Sequence, residues 1–398
     1  MCITAGMGRR KEKIREEQLQ GFKYFKPLST MLESLHDVGC ARDRAGNRTL
    51  HMDQYISLLL LYMFNPICTS LRSLQQASEL KKVQKTLGVA RASLGSLSEA
   101  ARVFDSAVLK DVIEELSGRL GTVRRIGGLP SEPVLTAVDG TLIEAVGKMA
   151  WASWRQDRNG VKIHYQYEIL KGVPVAMSVT DANTSETAVL EEMLAAGRFY
   201  VLDRGYAKYS LLQKIQDARS SFVCRIRDNA VYEILEERPL SAEAREAGIV
   251  FDRVVELGSA KAAHRLRPVR VVAVRCTPHT KRGHTARGGP AQKETLLIVT
   301  DRLDLEPETV ATIYRYRWTI EIYFRFFKHV LGCRHLLSHS ENGIELQMYA
   351  AIIACMLIAL WTGRKPTLRT YEMVCWYFTG MADEEELHAH IARLRPQP

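Results

Sequence analysis

Two short apolar runs, each ending in an aspartate, constrain this chain more than any other feature. Val134 to Val138 leads into Asp139-Gly140, and Phe199 to Leu202 leads into Asp203, 64 positions further on (203 minus 139). Runs this short, rich in Val, Phe and Tyr, read as buried strands rather than helices. Between them, Val161 to Leu170 and Val173 to Val179 read as a hairpin turning at Lys171-Gly172, followed by a helix from Glu186 to Gly197 that Asn183, Thr184 and Ser185 can cap. After Asp203 come a helix from Tyr209 to Asp217 and a strand from Ser221 to Ile226. This alternation predicts a mixed α/β core that carries two carboxylates at strand ends.

The flanks have other patterns. Residues 1–125 read as helical: Ile56 to Phe64 stops at Asn65-Pro66, and Leu71, Leu74, Leu80, Val83 and Leu87 follow at spacings that include helical steps. Leu80 to Phe104, with Gly88 as a break, has the local form of a helix-turn-helix, and a plain helical hairpin fits it equally well. Gly127-Gly128-Leu129-Pro130 marks the boundary with the first part of the core, 126–226. Residues 227–292 are charged and turn-rich, with two Val-rich strands at Ile249 to Leu257 and Val269 to Val274, and read as a β-rich insertion. The core resumes over 293–340 with a strand at Thr295 to Thr300 and one long helix from Glu306 to about Leu331. Residues 341–398 are again helical and are a candidate dimerisation region.

Composition narrows the function classes. With 46% hydrophobic and 25% charged residues the chain is ordinary globular material, which excludes disordered and fibrous classes. Its 55 Lys+Arg against 45 Asp+Glu leave a net charge of +10, which favours a polyanionic partner such as DNA. The eight cysteines are scattered without a C-x-x-C pair, as in a reduced cytoplasmic protein. No secretory signal is read at the N-terminus, and Leu346 to Gly363 reads as a buried helix rather than a membrane span, so the expectation is a soluble protein.

The predicted long helix holds the densest chemistry. Tyr314, Arg317, Glu321 and Lys328 stand at offsets 0, 3, 7 and 14; at about 100° per residue they fall in one wedge of roughly 60°. Ile313, Ile320, Phe324 and Phe327 occupy the neighbouring sector, so the helix packs on one side and shows a polar ridge beside it. A carboxylate among two cations and a phenol can hold a metal and grip the phosphodiester that the metal activates. The plain alternative is a salt-bridged surface with Arg317 and Glu321 as an i, i+4 pair. Asp139 and Asp203 tilt the balance, since three carboxylates can clamp two Mg²⁺ ions.

The motifs V-D-G-T (Val138 to Thr141), L-D-R-G-Y (Leu202 to Tyr206) and Y-(2)-R-(3)-E-(6)-K (Tyr314, Arg317, Glu321, Lys328) occur in that order on strand, strand and helix. In this the chain resembles the DDE transposases of bacterial insertion sequences, in the insertion-sequence-four family, over about 210 residues. The resemblance implies an RNase H-like core interrupted by a β-rich insertion between Asp203 and Glu321, which lie 118 positions apart (321 minus 203). It implies that Asp139, Asp203 and Glu321 bind two Mg²⁺ ions per site, with Mn²⁺ able to substitute, and that Tyr314, Arg317 and Lys328 grip phosphates. It further implies a homodimer acting on double-stranded DNA, both terminal inverted repeats and target: each end is cut, its 3′-hydroxyl closes a hairpin on the opposite strand, and the reopened end joins new DNA. The N-terminal helices would then recognise the repeats, in the bacterial cytoplasm at the nucleoid.

Further candidates are less specific. Arg325 falls close to the same ridge, as a phosphate contact or a solvated arginine. Lys162 and His164 share one face of a strand expected beside Asp139, with a satisfied or solvent-facing pair the simpler reading. Trp318, Trp151 and Trp154 compete as a platform for an unpaired base, with core packing the simpler reading for each. Cys276, His279 and His284 lack an evident fourth zinc ligand, and Lys281, Arg282 and Arg287 make that loop a better DNA contact. The run Arg9 to Arg15, interrupted by Glu12, reads as a solvated tail. Two functions compete with transposition: a catalytically silent DNA-binding regulator, and a metal-dependent nuclease that cuts without joining.

Overall fold

The computed structural model describes residues 31–38, 43, 46, 48–123, 126–127, 133–145, 149–155, 158–258, 266–276, 294–333 and 335–394. They divide into two compact units, one built from the chain up to Phe104 with Leu368–Arg395, the other from Asp105–Thr367. The first is helical. Its central helix α1 (Met52–Phe64) buries ten of thirteen residues, as a helix apolar on all sides must. Around it stand α2 (Leu71–Ser78), α3 (Lys81–Leu87) and α4 (Leu94–Val103). Ser70 and Ser93 cap α2 and α4 by accepting from the amides of Ser73 and Ser96 at 3.2 and 3.0 Å. Gly88 closes α3 at φ 64°, the left-handed geometry that favours glycine, so the two helices with a break expected between Leu80 and Phe104 are present. The late helices Leu368–Thr379 and Glu384–Arg393 belong to the same unit: Phe378 stacks on Phe64 at 5.1 Å, and the Tyr371 hydroxyl donates to the Met63 carbonyl at 2.7 Å.

The second unit opens with α5 (Leu109–Arg119) and is built on one ten-stranded mixed sheet. In chain order its elements are β1 (Val134–Ala145), β2 (Ser153–Arg155), β3 (Arg158–Glu168), β4 (Val173–Asp181), α6 (Glu186–Glu192), β5 (Arg198–Leu202), α7 (Tyr209–Asp217), β6 (Ser221–Ile226), β7 (Tyr232–Glu237), α8 (Ala242–Glu246), β8 (Ile249–Leu257), β9 (Leu266–Cys276) and β10 (Glu294–Thr300), then α9 (Pro307–Tyr316), α10 (Trp318–Arg325) and α11 (Glu341–Thr362). The spatial order is β2-β3-β1-β5-β6-β10-β9-β8-β7, with β4 also paired to β3. Among the described strands only β1–β5 and β5–β6 run parallel. Gly172 turns the β3–β4 hairpin at φ 72°.

On one face α6 and α7 lay Leu190, Leu211, Leu212 and Ile215 over Val138, Tyr200, Leu202 and Phe222. On the other, Tyr165 of β3 meets Tyr323 and Phe327 edge-on at 5.3 and 5.4 Å. Phe327, fully buried, contributes about 1.5–3 kcal/mol, and this packing seats the helical segment that carries Glu321. The apolar helix α11 is the one described helix long and apolar enough to cross a membrane, and it is buried within this unit, against β4 and α5.

Four expectations are refined. β1 does not end at Val138 but runs on to Ala145, because β3 pairs with it throughout. The helix expected from Glu186 to Gly197 stops at Glu192. The long helix from Glu306 to Leu331 is interrupted: at Arg317 the bonds tighten to three-residue steps (Arg317 amide to Tyr314 carbonyl, 3.0 Å; Ile320 amide to Arg317 carbonyl, 3.2 Å), and Phe326–Val330 forms a wider π turn. Finally, β7, β8 and β9 extend the core sheet through β10. A buried fork fastens this extension: Arg270 donates to both oxygens of Asp252 at 2.6 Å and also to the carbonyl of Leu305, just ahead of α9.

Candidate active site

The strand pairing explains how residues 64 positions apart come together. β1 and β5 pair in parallel from Val134↔Arg198 to Ala137↔Val201, so Asp139 and Asp203 stand at matching positions two residues beyond the last pair. Alternation along each strand puts them on the face of Ala137 and Val201, the same face as Tyr165, which pairs with Asp139. β5 ends at Leu202 while β1 continues, and the edge of β1 is therefore uncovered at Asp139. Each aspartate has one oxygen held by backbone: Asp139 Oδ1 accepts from the Gly140 amide at 2.8 Å, and Asp203 Oδ1 from the Gly205 amide at 2.7 Å, capping the turn Arg204–Tyr206.

The helical ridge meets this edge through Arg317. Its guanidinium donates to Glu321 Oε1 at 2.6 Å and lies 3.6 Å from Asp139 Oδ2, so it links the helix acid to a strand acid. Lys328 reaches β1 as well, donating to the Leu142 carbonyl at 2.7 Å, which the π turn allows. Tyr314 lies within the electrostatic reach of Arg317, Arg225 and Asp203. The ridge foreseen from the helical period is thus real for Arg317 and Glu321, and Lys328 joins it at the strand.

Charge is concentrated here at a cost. Burial is the largest influence on Asp139 and lifts its pKa to about 7; Asp203 and Glu186 push the same way, while the Gly140 amide and Arg317 oppose them. Burial pulls the Arg317 pKa down, but its bond to Glu321 and the nearby Tyr314 and Asp139 outweigh that and hold it above the usual value. Burial also lowers the Lys328 pKa. Hard carboxylate oxygens around a site short of positive charge suit Mg²⁺ or Mn²⁺. Among the described residues no three Asp, Glu, His or Cys side chains are grouped closely enough to share one ion as they stand, and Arg317 sits between Asp139 and Glu321. Asp139 and Asp203 are carboxylates of the kind that divalent cations take as ligands, and Glu321 is held by Arg317 rather than by the aspartates.

Other candidates separate clearly. Lys162 donates to the Thr184 carbonyl at 3.1 Å, and His164 is buried with its Nε2 2.9 Å from the Thr180 hydroxyl, while its Nδ1 has no hydrogen-bond partner among the described residues; both side chains lie on the opposite face of the sheet from Asp139. Trp318, read as a core residue, is 45% exposed, and with Tyr314, Arg317 and Arg275 it lines a cavity of about 630 Å³. Trp151 donates to the His339 carbonyl at 2.9 Å. Arg325 is exposed and Cys276 ends β9. The side chain of Trp154, and His279, Lys281, Arg282, His284, Arg287 and Arg9 to Arg15, lie outside the described residues. Glu186 and Tyr206 went unread as site residues. Tyr206 stands in the L-D-R-G-Y motif itself, but Glu186 looked like an ordinary first-turn helix acid.

Comparison with known proteins gives the family. The family profile described as "Transposase DDE domain" matches residues 130–357. Among curated proteins, the chain is 26% identical to a transposase of Sinorhizobium fredii over 256 residues, 64% of this chain and 67% of that one. It is 26% identical to a protein of Geobacillus stearothermophilus described as the transposase for insertion sequence element IS5377, over 68% of each chain. A Synechocystis protein described as the transposase for insertion sequence element IS4SA is 23% identical over 77% of this chain and 81% of its own. The profile match covers more than half of the 398 residues and encloses every carboxylate described above, and on that ground the protein belongs to the transposases with a DDE domain, those of insertion sequences.

Proposed function

We propose that this transposase cuts the ends of an insertion sequence and joins them to new DNA through one two-cation active site made of Asp139, Asp203 and Glu321. The observation that carries the proposal is the register of β1 against β5, which sets two aspartates side by side at an open strand edge, with Glu321 bound to the same arginine that faces Asp139. The order β4-β3-β1-β5-β6, antiparallel up to β1 and parallel beyond it, supports an RNase H-like core, with β7 to β9 as the insertion. Bound Mg²⁺ or Mn²⁺ supplies activation of the attacking oxygen and neutralises charge on the leaving one. Asp139, Asp203 and Glu321 would hold the cations, and Arg317, which now bridges Glu321 and Asp139, would bind a phosphate oxygen. Lys328 and Tyr314 orient the scissile phosphate, with Arg325 as an outer contact. A water first breaks the P–O bond at the element end, leaving a 3′-hydroxyl on the element and a 5′-phosphate on the flank; that hydroxyl attacks the opposite-strand phosphodiester, displacing the 3′-oxygen of the flanking DNA and closing a hairpin. A second water reopens the hairpin to a 3′-hydroxyl, and this attacks a target phosphodiester with the target's own 3′-oxygen leaving. Trp318, exposed at its cavity, offers a face on which an unpaired base can stack. The helical unit would read the terminal repeats as a homodimer, in the cytoplasm.

The test is cleavage of DNA carrying the gene's own flanking ends in Mg²⁺, wild type beside Glu321→Gln, on native and denaturing gels. Flush excision with a hairpin band in the wild type only is the expected result. End binding without cleavage by either protein, in Mg²⁺ and Mn²⁺ alike, makes the protein a DNA-binding regulator instead.

A further inference from the structure

A fourth carboxylate lies against the residue that follows Asp139 and acts on Asp139 electrostatically. Glu186, in the first turn of α6, places Oε1 so near the backbone of Gly140 that a Cβ added there would lie 2.9 Å from it. Gly140 immediately follows Asp139, so a side chain at 140 would displace this carboxylate. Glu186 is not fully claimed elsewhere: Lys162 Nζ stands 3.5 Å away, too far for a good hydrogen bond, and gives its own bond to the Thr184 carbonyl.

The second, independent observation is Tyr206. It ends the turn that begins with Asp203, it is 1% exposed, and its hydroxyl has no hydrogen-bond partner among the described residues. The turn packs on α6. Glu186, Asp139 and Asp203 all act on this phenol electrostatically, Glu186 most strongly of the three. A buried hydroxyl without a partner is destabilising, and an acceptor moving into reach would relieve this.

We infer that Glu186 and Tyr206 are positioning residues of the cation site: Glu186 adds a negative charge beside Asp139, and the Tyr206 hydroxyl is the donor that fixes the Glu186 carboxylate when a divalent cation is bound. This rests on the reading of Asp139 and Asp203 as cation ligands. Outer groups that orient ligands change metal affinity by roughly 10- to 100-fold, so the effect is measurable without catalysis.

The experiment is Mn²⁺ titration calorimetry on the full chain, with melting temperatures measured in chelator. Glu186→Gln and Tyr206→Phe should each weaken Mn²⁺ binding, the former by about tenfold, while the chelated Tyr206→Phe protein melts no lower than wild type. Lys162→Met, which releases Glu186 from its only nearby cation among the described contacts, should tighten binding. Asp203→Asn is the control. If Asp203→Asn binds Mn²⁺ as wild type does, the cation-site reading itself falls. If Asp203→Asn loses binding while Glu186→Gln and Tyr206→Phe keep wild-type affinity, only the present inference falls. Should Glu186→Gln fail to fold, unchanged affinity in both Lys162→Met and Tyr206→Phe would overturn it equally.

Discussion

His164 allows a quantitative test of the sheet beneath the site. It is 2% exposed, faces away from Asp139, and pairs with Gly140 across β1 and β3. Burial, helped by the neighbouring charge of Lys162, lowers its pKa from 6.5 to about 4. The unfolded chain therefore takes up a proton at a pH where the fold keeps the imidazole neutral. Stability from this group is complete above pH 6.5 and is lost as pH falls from 6.5 towards 4. At 1.36 kcal/mol per pKa unit, the full loss is about 3.4 kcal/mol, of which about 2 kcal/mol falls between pH 7 and pH 5. His164→Gln keeps a donor for Thr180 and cannot titrate. Urea midpoints at pH 7 and pH 5, in chelator, should drop for the wild type by about 2 kcal/mol more than for His164→Gln. Equal drops for the two proteins would refute the buried-neutral assignment and with it the pH dependence drawn from it.

Asp139 should show the opposite sign. Its pKa is raised to about 7, so the fold without cation loses stability as pH rises from about 4 to 7. Asp139→Asn in chelator should therefore be more stable than wild type at pH 8, by about 2–4 kcal/mol on the same conversion and with no such gain at pH 4, while cleaving no DNA; a melting temperature below that of wild type at pH 8 would contradict this. Asp252→Ala strands the buried Arg270 and should cost about 3–5 kcal/mol, with a loss below 1 kcal/mol in urea melts counting against the fork as the anchor of the sheet extension. Lys328→Ala should reduce hairpin formation on gels more than it reduces DNA binding by mobility shift; equal losses would make Lys328 a general DNA contact.

Much of the fold could be read locally. The strand and helix at Ser221–Ile226 and Tyr209–Asp217, and the Val-rich β8, follow from periodicity and turn residues, because these segments bury one side of a regular element. Both aspartates announced themselves as polar residues closing apolar runs. The sequence did not carry what depends on partners distant in the chain. β1 outlasts its apolar run only because β3 supplies hydrogen bonds beyond Val138. The late helices Leu368–Thr379 and Glu384–Arg393 looked like a separate region, yet they pack in the unit of α1, through contacts such as Phe378 on Phe64. Glu186 and Tyr206 were invisible as site residues for the same reason: a first-turn acid and a motif tyrosine acquire meaning only from what faces them.

The sequence by itself therefore determined which chemical groups are present and which local elements hold them: three carboxylates, an arginine, a lysine and a tyrosine on strands and a helix. The tertiary structure decided their grouping. Parallel register between β1 and β5 brings Asp139 level with Asp203, and Arg317, at the tightened turn, joins Glu321 to Asp139 through its guanidinium. Hydrophobic periodicity acts over a few residues and is written in the chain, whereas strand register and the burial of charge are set by which distant segments share a surface.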